Sequence, residues 1–133
     1  QLFEDFQRGF INLRAALKPN GLIGIFVFTD GTFEEIREVS GDGISYRTAT
    51  EVEEIARGLL ADVQVRKLER TTHYKDPLLM LKSLRGCGVS GTGGRAWTRG
   101  RLKAFSEEYA RRFSDEDGVR LSWRGIFAAG RAP

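Results

Sequence analysis

The 133-residue sequence predicts an α/β fold, and three patterns predict it. Phe3, Phe6, Phe10, Leu13 and Leu17 recur at alternating spacings of three and four, the apolar stripe of an amphipathic helix. Leu22 to Phe28 is then a run of seven residues in which only Gly24 lacks a large side chain. Such a run suits a strand covered on both faces in a parallel sheet. Near the end, Val119, Leu121 and Trp123, then Phe127 and Ala129, alternate with the period of a strand.

The elements between follow in order. Lys18-Pro19-Asn20-Gly21 closes the first helix, because proline cannot continue a helix and Asn-Gly favours a turn. After the strand, Thr29-Asp30-Gly31 turns the chain. Thr32 with Glu35 reads as the capping box of a short helix running to about Val39, which Gly41-Asp42-Gly43 breaks. Thr50 with Glu53 signals a second helix, with Val52, Ile55, Ala56 and Leu59 along one face. Val63 to Tyr74 is the next strand. Asp76-Pro77 supplies an N-cap and a proline at the first helical position, for a helix turning Leu78, Leu81 and Leu84 inward with Lys82 and Arg85 on its flank. Residues 86–95 form a glycine-rich loop. Thr98 caps a longer helix lined by Leu102, Phe105, Tyr109 and Phe113, and Asp115-Glu116-Asp117-Gly118 turns into the last strand. The chain opens at Gln1, without Met and inside a helical pattern, which reads as the later part of a longer protein.

Composition narrows the function classes. Hydrophobic residues are 41% of the chain, and no run approaches the roughly 20 apolar residues of a membrane span. The single cysteine, Cys87, excludes an internal disulfide and a cysteine-based zinc site, and the single histidine, His73, excludes a multi-histidine metal site, so no metal is expected. With no targeting or lipidation signal visible, the expected location is the cytoplasm. Charge is uneven: residues 1–60 hold 6 basic and 10 acidic side chains, residues 61–133 hold 15 and 8. The basic half suits an acidic partner. No recognisable nucleic-acid-binding module accompanies it, so nucleic acid is not the expected partner.

Several motifs have plain readings. Gly86-Cys87-Gly88-Val89-Ser90-Gly91 matches G-x-G-x-x-G but follows a helix instead of a strand, which makes it a helix stop. His73 and Cys87 lack the neighbours that would activate them. Arg95, Arg99, Arg101 and Lys103 are the densest positive cluster, open to reading as a solvated helix face or as a docking patch.

One series of segments is more specific. Asn12-Leu13-Arg14-Ala15-Ala16-Leu17-Lys18-Pro19-Asn20-Gly21 with Leu22-Ile23-Gly24-Ile25-Phe26 resembles the helix, L-K-P-G-G turn and fifth strand of S-adenosylmethionine-dependent methyltransferases with a Rossmann-like sheet. Gly31-Thr32-Phe33-Glu34-Glu35-Ile36 resembles the G-T-hydrophobe-x-E-hydrophobe segment after that strand. Asp76 to Gly88 resembles D-x-L-x-x-L-K/R-x-L-K/R-x-x-G, and Trp97-Thr98-Arg99-Gly100-Arg101-Leu102 echoes Leu-Thr-x-x-x-Leu before a long helix. Leu121-Ser122-Trp123-Arg124-Gly125-Ile126-Phe127 is similar to a hydrophobe-T-x-x-hydrophobe closing strand, with Ser122 in place of Thr. Taken in order, the series resembles the malonyl-acyl-carrier-protein O-methyltransferases of biotin synthesis, the BioC family. The family's first half, with its D/E-x-G-x-G cofactor loop, has no counterpart here.

The resemblance implies that residues 1–133 are a single C-terminal segment of such an enzyme. Residues 1–60 would be a helix–strand–helix part, and residues 61–133 the last two strands, an antiparallel pair, with inserted helices capping the substrate. The implied reaction moves a methyl group from S-adenosylmethionine to the free carboxylate of a malonyl thioester on acyl carrier protein. That carboxylate is ionised at neutral pH, with a reference pKa of about 4, so no general base is needed. Arg85 and then Lys82 are the implied grips on it, Thr29 touches cofactor or substrate at the strand end, and Tyr74 walls the acyl pocket. Each has a structural alternative: Arg85 as a surface ion pair, Thr29 as a turn former, Tyr74 as core. Arg95, Arg99, Arg101 and Lys103 would dock the acidic carrier protein. The segment alone is expected to be inactive and free of cofactor, and its open sheet edge to invite self-association. Two alternatives stay open: another small-molecule methyltransferase of the same fold, and a non-enzymatic module binding an acidic protein.

Overall fold

The computed structural model describes residues 6–43, 45–86 and 97–133, so that Phe3, Cys87, Arg95 and most of the glycine-rich loop lie outside the described residues. The elements are α1 (Phe6–Ala15), β1 (Leu22–Phe28), α2 (Glu34–Ser40), α3 (Ala49–Leu59), β2 (Ala61–Tyr74), α4 (Pro77–Gly86), α5 (Arg99–Phe113), β3 (Ser114–Asp115) and β4 (Gly118–Arg131). The α/β class is as expected, and β2 and β4 are sheet neighbours with α4 and α5 inserted between them in the chain. β4 lies between β1 and β2, and β3 pairs with its start. β1 departs from expectation. Among the described residues its partner is antiparallel β4, with Leu22 opposite Arg131 and Phe28 opposite Gly125, and only one of its faces is covered.

The chain divides into two compact units. The first comprises residues 1–32, 46–69 and 124–133. Phe10 of α1, Ala56 of α3, Leu60 just after it, and Ala128 of β4 form one cluster, with Ile23, Ile25, Val63 and Val65 packed on it. Val27, Val52 and Ile126 form another, against which Phe6 packs. The stripe of the first helix is therefore shorter than its spacing suggests: Leu13 is exposed, and Leu17 lies beyond the helix end. The cap of α3 lies two residues before the expected one. The Glu51 N–H donates to the Thr48 hydroxyl (3.1 Å) and the Thr48 N–H to the Glu51 carboxylate (3.0 Å), so the box is Thr48–Glu51. Glu53 is free to pair with Arg57 instead (2.9 Å).

The second unit comprises residues 33–45 and 70–123. Its core joins Phe33 and Ile36 to Met80 and Leu84 of α4, Phe105, Tyr109 and Phe113 of α5, and Val119 and Leu121 of β4. The Asp76 carboxylate accepts from Leu79 N–H (2.9 Å) and the Asp76 carbonyl from Met80 N–H (3.1 Å). That cap fixes the phase of α4 so that Pro77, Met80 and Leu84 face inward while Leu78 is exposed, correcting the expected inward Leu78. α2 has no capping box. It follows Phe33 in the left-handed region, because the Glu35 carboxylate is buried and accepts from the N–H and hydroxyl of Ser122 instead. The Thr98 hydroxyl caps α5 as expected, accepting from Arg101 N–H (3.1 Å).

β4 also breaks the simple alternation. Val119 and Leu121 are buried, but beyond Gly125 it is Ile126 and Ala128 that are buried and Phe127 that is exposed. The later residues meet the α1 and α3 layer of the first unit, which takes the even positions. Two glycines make opposite predictions. Gly118 has φ +117° and an added Cβ would collide with the Tyr74 carbonyl, whereas Gly58 in α3 has open space. Gly118→Ala is expected to destabilise by about 2 kcal/mol or more, and Gly58→Ala to stabilise by about 0.5–1 kcal/mol, as read by denaturant unfolding. Equal midpoints for the two variants would refute the backbone assignment.

Candidate functional site

The residues after β1 fold onto β4. The Thr29 N–H donates to the Arg124 carbonyl (3.0 Å), and the Thr32 hydroxyl donates to the same carbonyl (2.7 Å) while accepting from Arg124 N–H (2.9 Å). Thr29 and Thr32 are both buried. This use of Thr32 is what removes it from the expected cap of α2. Gly31 has φ +88°, and a Cβ there would stand 2.5 Å from an Arg124 guanidinium nitrogen. The arginine lies across the turn because residue 31 has no side chain. Its Nε is 3.3 Å from the Glu69 carboxylate. The carboxyl end of β1, where open α/β sheets place ligands, thus carries a cation that sequence reasoning missed. Its placement depends on the register of β1 against β4, which no local pattern encodes.

The other candidate residues lie in the second unit. Lys82 and Arg85 are exposed in the last turns of α4, and Tyr74 at the end of β2 is partly buried against the core. Cations near a helix C-terminus are favoured by the macrodipole, so their position has a structural explanation as well. Arg99 and Lys103 are exposed on α5, Lys103 standing 4.0 Å from Glu107. Arg101 differs. It pairs with Asp42 at 2.6 Å and lies 4.5 Å over the Trp97 ring, half-buried and committed to the fold. Trp97, Arg101, Phe105 and Glu108 line a cleft of about 270 Å³.

His73 pairs with Asp115 at 2.7 Å, and this hydrogen bond holds the Asp115 carboxyl below the usual carboxylate range. Asp117 completes a group whose potential ligand atoms lie within 4.8 Å of one another. All three residues are exposed, and Asp117 N–H donates to Asp115 (2.8 Å), so turn geometry accounts for the cluster.

Among the described residues, one strand-to-helix turn contains glycine, and it does not suit the adenosyl cofactor. The space above Gly31, where a cofactor would approach the backbone, is taken by Arg124. No acidic residue follows on a neighbouring parallel strand among the described residues, since the partner of β1 is antiparallel.

No family model matches the chain. It is similar to proteins named malonyl-[acyl-carrier protein] O-methyltransferase: 34% identical over 127 residues to that of Chlorobium phaeovibrioides, 34% over 134 residues to that of Prosthecochloris aestuarii, and 27% over 132 residues to that of Haemophilus influenzae. These alignments cover 96%, 98% and 98% of the chain, but 49%, 49% and 51% of the relatives. Over nearly all of its residues the chain is therefore homologous to the malonyl-[acyl-carrier protein] O-methyltransferases, and it spans about half the length of these curated relatives.

Proposed function

We propose that the full-length protein containing these residues transfers a methyl group from S-adenosylmethionine to the free carboxylate of a malonyl thioester carried on acyl carrier protein. The similarity of nearly the whole chain to several relatives of that one name carries this reading. The cofactor supplies the methyl group and is held by residues outside this chain. What these 133 residues contribute is recognition of the acyl carboxylate and of the carrier. An ionised carboxylate is already nucleophilic, so orientation and exclusion of water do the work that a base would do elsewhere.

Arg85 is the first candidate for the carboxylate, with Lys82 one turn earlier; both are exposed, and neither supports the core. Thr29 fixes the turn at the end of β1, and Tyr74 is the candidate wall of the acyl pocket. For carrier docking, Arg99 and Lys103 are the candidates on α5. They stand four residues apart, on one helical face. Arg101 is kept for the fold by Asp42.

Three measurements test this. The isolated 133-residue chain is expected to show no micromolar binding of S-adenosylmethionine by calorimetry, and a micromolar Kd would overturn the assignment of cofactor contacts outside it. In the full-length protein, Arg85→Ala should lower turnover roughly 10- to 150-fold, the worth of a charge-assisted pair at about 1.5–3 kcal/mol, with little change in Tm. Unchanged turnover removes Arg85 from the site. Reversing Arg99 and Lys103 to Glu should weaken carrier binding and flatten its salt dependence, while methylation of a small carrier-free malonyl thioester is spared. Equal loss on both substrates would move docking elsewhere.

A further inference from the structure

The turn after β1 is built around one arginine. Three hydrogen bonds from two buried threonines fix the main chain of Arg124. Its carbonyl accepts from Thr29 N–H (3.0 Å) and from the Thr32 hydroxyl (2.7 Å), and its N–H donates to that hydroxyl (2.9 Å). Gly31 then makes room for the side chain. A Cβ at this residue would stand 2.5 Å from a guanidinium nitrogen, 2.7 Å from Cδ and 3.0 Å from Cζ. The arginine therefore rests on bare backbone at the carboxyl end of a strand, where open α/β sheets place their ligands. A cation braced in this way meets an anion with little further ordering.

Its ion pair is easily exchanged. Arg124 Nε stands 3.3 Å from a Glu69 carboxylate oxygen, and the glutamate side chain is 76% exposed. Water and salt screen such a pair, so a better-placed carboxylate can take its place. Other charges lie close in the fold. Alternation along β2 puts Lys67 on the side of Glu69, and Asp30 and Arg47 flank the turn, with Asp30 N–H donating to the Arg47 carbonyl (3.0 Å). The neighbourhood thus sets three cations, Arg47, Lys67 and Arg124, against two anions, Asp30 and Glu69. One added carboxylate makes it neutral.

We propose that Arg124 is a further grip on the free carboxylate of the malonyl group, and that Glu69 is the internal carboxylate which this substrate displaces. The identity of the acyl group rests on the functional reading above, while the braced cation and its exchangeable partner rest on the geometry of this turn. A guanidinium fork uses one lone-pair site on each carboxylate oxygen, and each oxygen keeps another for the attack. Methylation forms a carbon–oxygen bond there as the carbon–sulfur bond of the sulfonium breaks, with its electron pair left on sulfur. No proton is released, and the acyl group becomes a neutral ester. Glu69 is then again the carboxylate that Arg124 holds, which favours release of the product. Because the carboxylate loses its charge towards the transition state, Arg124 stabilises the bound acid more than the transition state. Its contribution therefore lies in KM and not in kcat.

The test titrates the full-length protein, without a methyl donor, with the malonyl thioester of N-acetylcysteamine and with the neutral methyl ester of that compound. Methylation of the acid is followed separately. Arg124→Gln is expected to weaken binding of the acid roughly tenfold or more, to leave the ester within about twofold, and to raise KM with kcat unchanged or higher. Arg124→Lys, which keeps the charge but loses the fork, should fall between. Glu69→Gln acts in the opposite direction: binding of the acid tightens roughly 1.4- to 5-fold, the worth of an exposed pair, and the ester is unaffected. That variant changes an exposed side chain, so it decides the question if Arg124→Gln lowers Tm. Unchanged binding of the acid by Arg124→Gln, equal weakening of acid and ester, or a fall in kcat at constant KM overturns the grip. Binding of the acid that Glu69→Gln leaves unchanged or weaker overturns the displacement. Binding that depends on Arg124 without methylation by the unmodified protein refutes the functional reading alone, and methylation that Arg124→Gln leaves unaltered refutes the grip alone.

Discussion

One stretch of β4, Ser122 to Arg124, holds the segment that follows β1. In the first unit the main chain of Arg124 takes the amide of Thr29 and both roles of the Thr32 hydroxyl. In the second, the Ser122 carbonyl takes Phe33 N–H (2.9 Å), and the buried Glu35 carboxylate takes the Ser122 N–H. A buried carboxylate without such donors would cost several kcal/mol, of the order set by desolvating an ion. The two segments come from opposite ends of the sequence, and both were among those that carried the family resemblance. Their motif residues are bonded to one another, a structural reason for the motifs to occur together.

This arrangement explains where local reading succeeded and where it did not. Helices α3, α4 and α5 and strand β2 were legible because their apolar periods and their Asp76 and Thr98 caps act within a few residues. The capping box at Thr32 and Glu35 was not real, because both side chains are used by a strand 87 to 92 residues away. β1 looked like a strand buried on both faces because an apolar run carries no record of which face is covered. The same limit hid Arg124. Arg101 is a different case, since helical phase alone separates it from Arg99 and Lys103: two residues along, a side chain points to nearly the opposite side.

The buried polar groups of the second unit bear on chemistry as well. Tyr109 is fully buried, donates its hydroxyl hydrogen to the Arg120 carbonyl, and has its phenol pushed far above the usual range by burial, with Glu35 adding to the shift. It stays neutral at any working pH and serves the fold. A reaction that asks for no proton transfer is compatible with a chain whose tyrosine and carboxylate in this core are spent on structure.

The pairing of β1 with β4 has a consequence for biosynthesis. β1 is complete at Phe28, but its neighbour spans Gly125 to Arg131, so its pairing residues are made long after it. At about 5–20 residues per second, the strand waits roughly 5–20 s for its partner, with Phe26 and Val27 and a row of backbone donors unsatisfied. Contacts of such long range also slow folding once the chain is free. The nascent chain therefore carries β1 unpaired until β4 has emerged, an interval in which factors that shield apolar strands on the ribosome can act on it.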